Sequence, residues 1–190
     1  MLDSPRHQCL IYEGAPSPYL ERICQSIIQR LKANYRCVYL NSPPMVAGMR
    51  SALAAAGIDV KAQTGRGALR LSSDQGHLVD GRFDVSAMLG LLSDLLRQAL
   101  AEGYAGLWAS GDMTWEFGSE KNLEKLFEYE RRLGEFMQRN PAMAGVCQYH
   151  RDTLPPHAID TALSTHSAVY INAGSWQSNP RYRRHADEIV

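Results

Sequence analysis

Short runs of unbroken apolar residues alternate with amphipathic helical segments along this chain, and that alternation leaves few folds open. The runs Gln8–Tyr12 (QCLIY), Arg36–Leu40 (RCVYL), Ala68–Leu71, Tyr104–Ala109 (YAGLWA), Ala144–Tyr149 (AGVCQY) and Ala168–Ile171 have strand length. They are apolar throughout instead of alternating with polar residues, the pattern of strands covered on both faces. Ile58–Lys61 reads as a shorter, weaker strand. Between the runs, Ser17 is placed to cap a helix that carries Pro18 at its first position and runs to about Asn34. The alanine-rich segment Val46–Ala56 stops at Gly57, and Asp84 caps Val85–Glu102. Asn122–Gln138 and Pro155–Leu163 complete the helices. The expected fold class is α/β, a mostly parallel central sheet flanked by helices on both faces. Residues 1–190 are expected to form one domain, with its core over about 7–172 and an irregular tail over 173–190. The polar stretch Ser72–Arg82 is long enough to be a functional loop.

Charge and composition narrow the function. The 20 basic and 20 acidic residues cancel, whereas domains that grip nucleic acid carry a basic excess. The cluster Arg181, Arg183 and Arg184 reads as a solvated tail, so no direct nucleic-acid contact is expected. No apolar run reaches the ~20 residues that span a bilayer, and Met1–Arg6 has no secretory pattern. The expected location is cytoplasmic, away from membrane. Cys9, Cys24, Cys37 and Cys147 form no C-x-x-C pair and three of them lie in the apolar runs. They read as reduced core residues, and neither disulfides nor a zinc site fits their spacing.

In an open parallel sheet, ligands sit at the carboxyl ends of the strands. A phosphate loop after the first strand needs G-x-x-x-x-G-K-[ST]. Here the turn reads Glu13-Gly14-Ala15-Pro16-Ser17-Pro18, with one glycine, no lysine and two prolines. RecA-type ATPases carry a water-orienting carboxylate after the second strand, where this chain has Asn41. Both halves of a hydrolytic apparatus are missing, which points to a binding module.

Two regions carry more information. The strand Tyr104–Ala109 runs into a turn at Ser110-Gly111-Asp112, with Trp115 three residues on. A carboxylate beside a large aromatic can grip a polar head and cover an apolar body; equally, Asp112 can cap a turn and Trp115 the core edge. On the helix that follows, Leu123, Leu126, Phe127, Tyr129, Leu133, Phe136 and Met137 share one face, and Glu130 falls inside it. A carboxylate there must be paired, hydrogen-bonded or protonated. It is either an internal tie or a ligand contact, with His7 and Arg151 as candidate partners. Tyr12, Tyr149, His150 and His166 lie at strand ends or in loops and are weaker pocket candidates. No Ser-His-Asp, H-x-x-x-H or paired-glutamate spacing is present, so no catalytic residue, metal ligand or cofactor is assigned.

Several segments together resemble a known family. They are His7-Gln8-Cys9-Leu10-Ile11-Tyr12, Gly57-Ile58-Asp59-Val60, Gly81-Arg82-Phe83-Asp84 and Gly103-Tyr104-Ala105-Gly106-Leu107, then Gly111-Asp112-Met113-Thr114-Trp115, Tyr129-Glu130 and Cys147-Gln148-Tyr149. The series, from about His7 to Asn172, resembles the MEDS domain, a sensory domain named for methanogens, methylotrophs and a dichloromethane-responsive regulator. The resemblance implies a degenerate RecA-like three-layer scaffold, similar to circadian-clock-type ATPases without their nucleotide loop. It also implies bacterial or archaeal signal transduction, sensing of small hydrocarbon derivatives, and partnership with histidine kinase or transcription-regulator modules. Trp108 stands where the family pattern favours an arginine.

The leading expectation is a non-enzymatic sensor with Asp112, Trp115, Glu130, Tyr12, Tyr149 and His7 around its ligand. The alternatives are nucleotide binding through a non-standard loop, or a protein scaffold using the apolar face around Tyr129 and Phe136. The sequence leaves room for a homodimer.

Overall fold

The computed structural model describes residues 5–74, 78–116, 122–172 and 175–183, with backbone alone at 115, 116 and 172. The chain opens with β1 (His7–Tyr12), α1 (Ser17–Lys32), β2 (Tyr35–Leu40), α2 (Pro43–Ala55), α3 (Val60–Gly65) and β3 (Leu69–Ser72). A hairpin of β4 (Leu78–Val79) and β5 (Arg82–Phe83) leads into α4 (Val85–Ala101) and β6 (Gly106–Asp112). Then come α5 (Met113–Glu116), α6 (Leu123–Arg139), β7 (Met143–His150), α7 (Pro156–Thr165), β8 (Ala168–Asn172) and β9 (Ser175–Ser178). Seven strands form one sheet in the order β3-β2-β6-β7-β1-β8-β9. All its neighbours are parallel except β8 and β9.

The apolar runs become central strands because both faces are covered. Leu10, Tyr12, Cys37, Tyr39, Trp108 and Val146 pack under α1 and α2. Cys9, Val38, Leu40, Leu107, Cys147 and Tyr149 pack under α4, α6 and α7. The period-two alternation thus sorts each strand between two cores. Tyr129 is 2% exposed in the second core, with Phe136 packed against it, so the face proposed as a scaffold surface is interior.

Local readings change in five places. Ile58–Lys61 is not a strand: the Asp59 carboxylate accepts from Ala62 N at 2.8 Å and starts α3. Pro16, not Ser17, occupies the N-cap of α1, and Tyr19 and Leu20 N–H groups donate to its carbonyl. The Ser110–Asp112 turn is strand, paired in register as far as Asp112 opposite Gln148. The loop after Ser72 contains a hairpin turned by Asp80 (φ 51°) and Gly81 (φ 75°); its residues 75–77 lie outside the described ones. The tail is not wholly irregular, because β9 adds antiparallel to β8.

Candidate functional site

The carboxyl ends of β1 and β7 form a topological switch point. From β1 the chain leaves through α1 on one face; from the adjacent β7 it leaves through α7 on the other. Neighbouring strands whose connections part to opposite faces open a cleft at their carboxyl ends. Tyr12 ends β1 here, and its ring stacks on His150, with centroids 4.8 Å apart and planes 8° apart. Its hydroxyl donates to Asp112 Oδ2 at 3.1 Å. Burial first, then the Asp112 charge, pushes the Tyr12 phenol upward, so it stays protonated and donates. His150 Nε2 is buried, and Asp152 Oδ2 lies 3.4 Å from it.

The turn where a phosphate loop would lie is taken up by the chain's own acids. Gly14, at φ +69°, donates its N–H to Asp152 Oδ2 at 2.7 Å. Glu13 accepts from Arg151 at 2.7 Å across the same gap. A backbone N–H that an anionic phosphate would use already faces a carboxylate.

A second polar cluster lies under α6 on the opposite face. Glu130 is fully buried. Its Oε1 accepts a short hydrogen bond from Tyr149 Oη. Its Oε2 has no hydrogen-bond donor among the described residues, yet lies 3.4 Å from both His7 Nε2 and His166 Nε2. Cys147 Sγ is 3.6 Å from His7 Nε2. The effective penalty for burying a carboxylate is several kcal/mol, and a charge-assisted hydrogen bond returns about 1.5–3 kcal/mol. Burial raises the Glu130 pKa, opposed in part by His166 and by hydrogen bonds from Tyr149 and Cys147.

The imidazoles are held neutral. Burial lowers His7 to about 4. Burial, then His7, lowers His166 to about 3. His166 Nδ1 lies 2.8 Å from Ala162 O, which only accepts. The proton is on Nδ1, and Nε2 is a bare lone pair without a donor among the described residues. His7, Glu130, Cys147 and His166 place one ligand atom each within 4.8 Å of one another. Among the described residues, these four form the group able to hold a cation.

The sequence-predicted residues are thus divided. Tyr12 and Asp112 meet at the carboxyl edge, whereas His7, Tyr149 and Glu130 meet beneath α6. Trp115 follows Asp112 on α5, and its side chain lies outside the described residues. Arg151 does not reach Glu130, because it pairs with Glu13. His166, a weak candidate in the sequence, and Cys147, read there as core, both join the buried cluster. Alternation along β7, which puts Cys147 and Tyr149 on one face, was the signal for Cys147.

Among curated proteins, none matches this chain. A crystal structure of an uncharacterized protein from Pyrococcus horikoshii, in complex with an unknown peptide, superposes with a TM-score of 0.61. It is 12% identical and covers 86% of this chain and 76% of its own, a likeness of fold. No helix among the described residues is long and apolar enough to cross a membrane. Residues 6–167 match the model of the MEDS domain, the methanogen/methylotroph, DcmR sensory domain. This chain belongs to the MEDS sensory domain family.

Proposed function

We propose that this chain is a non-enzymatic sensor that binds a small organic molecule in the crevice between the carboxyl ends of β1 and β7. The crevice itself carries the reading. It lies where connections part to opposite faces, and it joins the buried Asp112 carboxylate, the stacked Tyr12–His150 pair and the His150 ring nitrogen, which faces Asp152 at 3.4 Å. Such a site offers an aromatic wall to an apolar body and two polar groups to its head. A ligand that separates Tyr12 from Asp112 would shift the packing of the β1–α1 and β7–α7 turns, which Gly14–Asp152 and Glu13–Arg151 hold together. A histidine kinase or transcription-regulator module would read that shift. The chain acts in the cytoplasm under this reading.

Amide NMR with a panel of short-chain alcohols, amines and chlorinated hydrocarbons tests it. At least one compound is expected to shift the Tyr12, Gly14 and Arg151 amides, and Asp112→Asn is expected to abolish the shift. A panel that leaves these amides unmoved, or shifts that persist in Asp112→Asn, overturns the proposal. The competing nucleotide reading is disfavoured by the Asp152 carboxylate on the Gly14 N–H; calorimetric heat with magnesium and millimolar ATP would restore it.

A further inference from the structure

We propose that His7, Glu130, Cys147 and His166 form a closed, four-ligand site for a divalent transition metal of the zinc type. The site is separate from the crevice and lies on the other face of the sheet.

Distances carry the inference. Zinc bonds of about 2.0–2.1 Å to nitrogen, about 2.0–2.2 Å to oxygen and about 2.3 Å to sulfur, at the tetrahedral angle, separate N from O by about 3.4 Å and N from S by about 3.6 Å. His7 and His166 Nε2 each lie 3.4 Å from Glu130 Oε2, and His7 Nε2 lies 3.6 Å from Cys147 Sγ. Three edges of the tetrahedron therefore have the lengths a zinc site needs. All the ligand atoms lie within 4.8 Å of one another, so the remaining edges close with small side-chain movements.

The lone pairs are also arranged for a cation. Glu130 Oε2 and His166 Nε2 are both fully buried acceptors, and neither has a hydrogen-bond donor among the described residues. Two acceptors facing each other at 3.4 Å need a proton or a metal ion between them, and the ligand-length edges favour the metal. His166 gives its Nδ1 proton to Ala162 O at 2.8 Å, the backbone anchor that fixes the tautomer of a metal-bound imidazole. Tyr149 donates to the other oxygen of Glu130 and orients the carboxylate in the same way. Charge balances as well: a dication, the Glu130 carboxylate and the Cys147 thiolate sum to zero, with the thiol proton released to solvent. A neutral assembly suits the apolar core beneath α6.

A route in exists. A cleft of ≈ 530 Å³ at the amino end of β1 is lined by Arg6, His7, Gly134, Met137 and Thr165, among others. The His7 side chain is 10% exposed and stands between that cleft and the cluster. Four protein ligands leave no open position, which marks a structural site. The ion would tie α6 to β1, β7 and the α7–β8 junction.

Cobalt(II) titration of the full chain, stripped with chelator, tests the proposal. One equivalent is expected to give intense visible bands of four-coordinate cobalt with a near-ultraviolet thiolate-to-cobalt band, both displaced by zinc. Cys147→Ser is expected to lose the thiolate band alone, His166→Gln to weaken binding by at least tenfold, and Cys9→Ala to change neither. Tyr149→Phe is expected to keep both bands and lower zinc affinity about 10–100-fold. Absent or weak six-coordinate bands, or unchanged bands in both Cys147→Ser and His166→Gln, would overturn it. Should His166→Gln fail to fold, the outcome for Cys147→Ser decides alone.

Discussion

Asp112 and Glu130 are both buried carboxylates, 6% and 0% exposed, but they sit in opposite kinds of place. Asp112 ends a strand at the carboxyl edge and takes a hydrogen bond from Tyr12. Glu130 lies mid-helix over the centre of the sheet, with one oxygen bonded to Tyr149 and the other facing two neutral imidazoles. The first has its charge met by a protein donor at a site where ligands enter parallel sheets. The second is met by Tyr149, Cys147 and His166 in a fully buried setting, and burial still raises its pKa. A rim carboxylate is suited to an exchangeable organic ligand, an enclosed one to a resident ion.

The two regions should therefore respond to different perturbations. The largest effect falls on the enclosed one. Zinc at ~1,000 times its Kd stabilises a protein by about 4 kcal/mol. At ~2–4 °C per kcal/mol for a chain of this size, the unfolding midpoint should rise by roughly 8–16 °C on zinc addition to the stripped chain. Calorimetry reads this directly, and an unmoved midpoint would remove the distinction between the regions.

Tyr149→Phe should cost zinc affinity about 1.4–2.7 kcal/mol, the equivalent of a 10–100-fold loss, and leave the crevice amides unshifted. Tyr12→Phe should do the reverse. It should lower stability by ~1 kcal/mol through its lost hydrogen bond, with zinc affinity unchanged in competition titrations. In the double variant the stability losses of the stripped chain should add within ~0.5 kcal/mol, as expected for residues without shared partners. A larger coupling would mean that the two faces communicate through β1 and β7. Smallest of all, Arg151→Met should change stability by under ~1 kcal/mol in chemical denaturation, because its pair with Glu13 is exposed.

Much of the fold was legible because strands covered on both faces leave an unmistakable run of apolar residues, as in Ala144–Tyr149. The misreadings fall where a short-range polar contact decides between helix and strand. Asp59 turns an apolar tetrapeptide into the first turn of α3, and backbone pairing with Gln148 extends β6 through a Ser-Gly-Asp sequence that looks like a turn. Glu130 was legible as a lone charge on an apolar helical face, and His7 as its partner. The rest of the cluster was not, since Cys147 and His166 come from β7 and the α7–β8 junction, and no fixed spacing links them to Glu130. Cysteine spacing argued against a zinc site because it can report only sites built from neighbouring cysteines. The proposed site instead joins a single cysteine to three residues that the fold brings together from across the chain.

The most direct test is an anomalous-scattering experiment at the zinc edge on crystals of the zinc-treated chain. One strong peak is expected within bonding distance of His7 Nε2, Glu130 Oε2, Cys147 Sγ and His166 Nε2, and none beside Asp112. A map without a peak under α6, or with its peak at the Tyr12–Asp112 crevice, would contradict it.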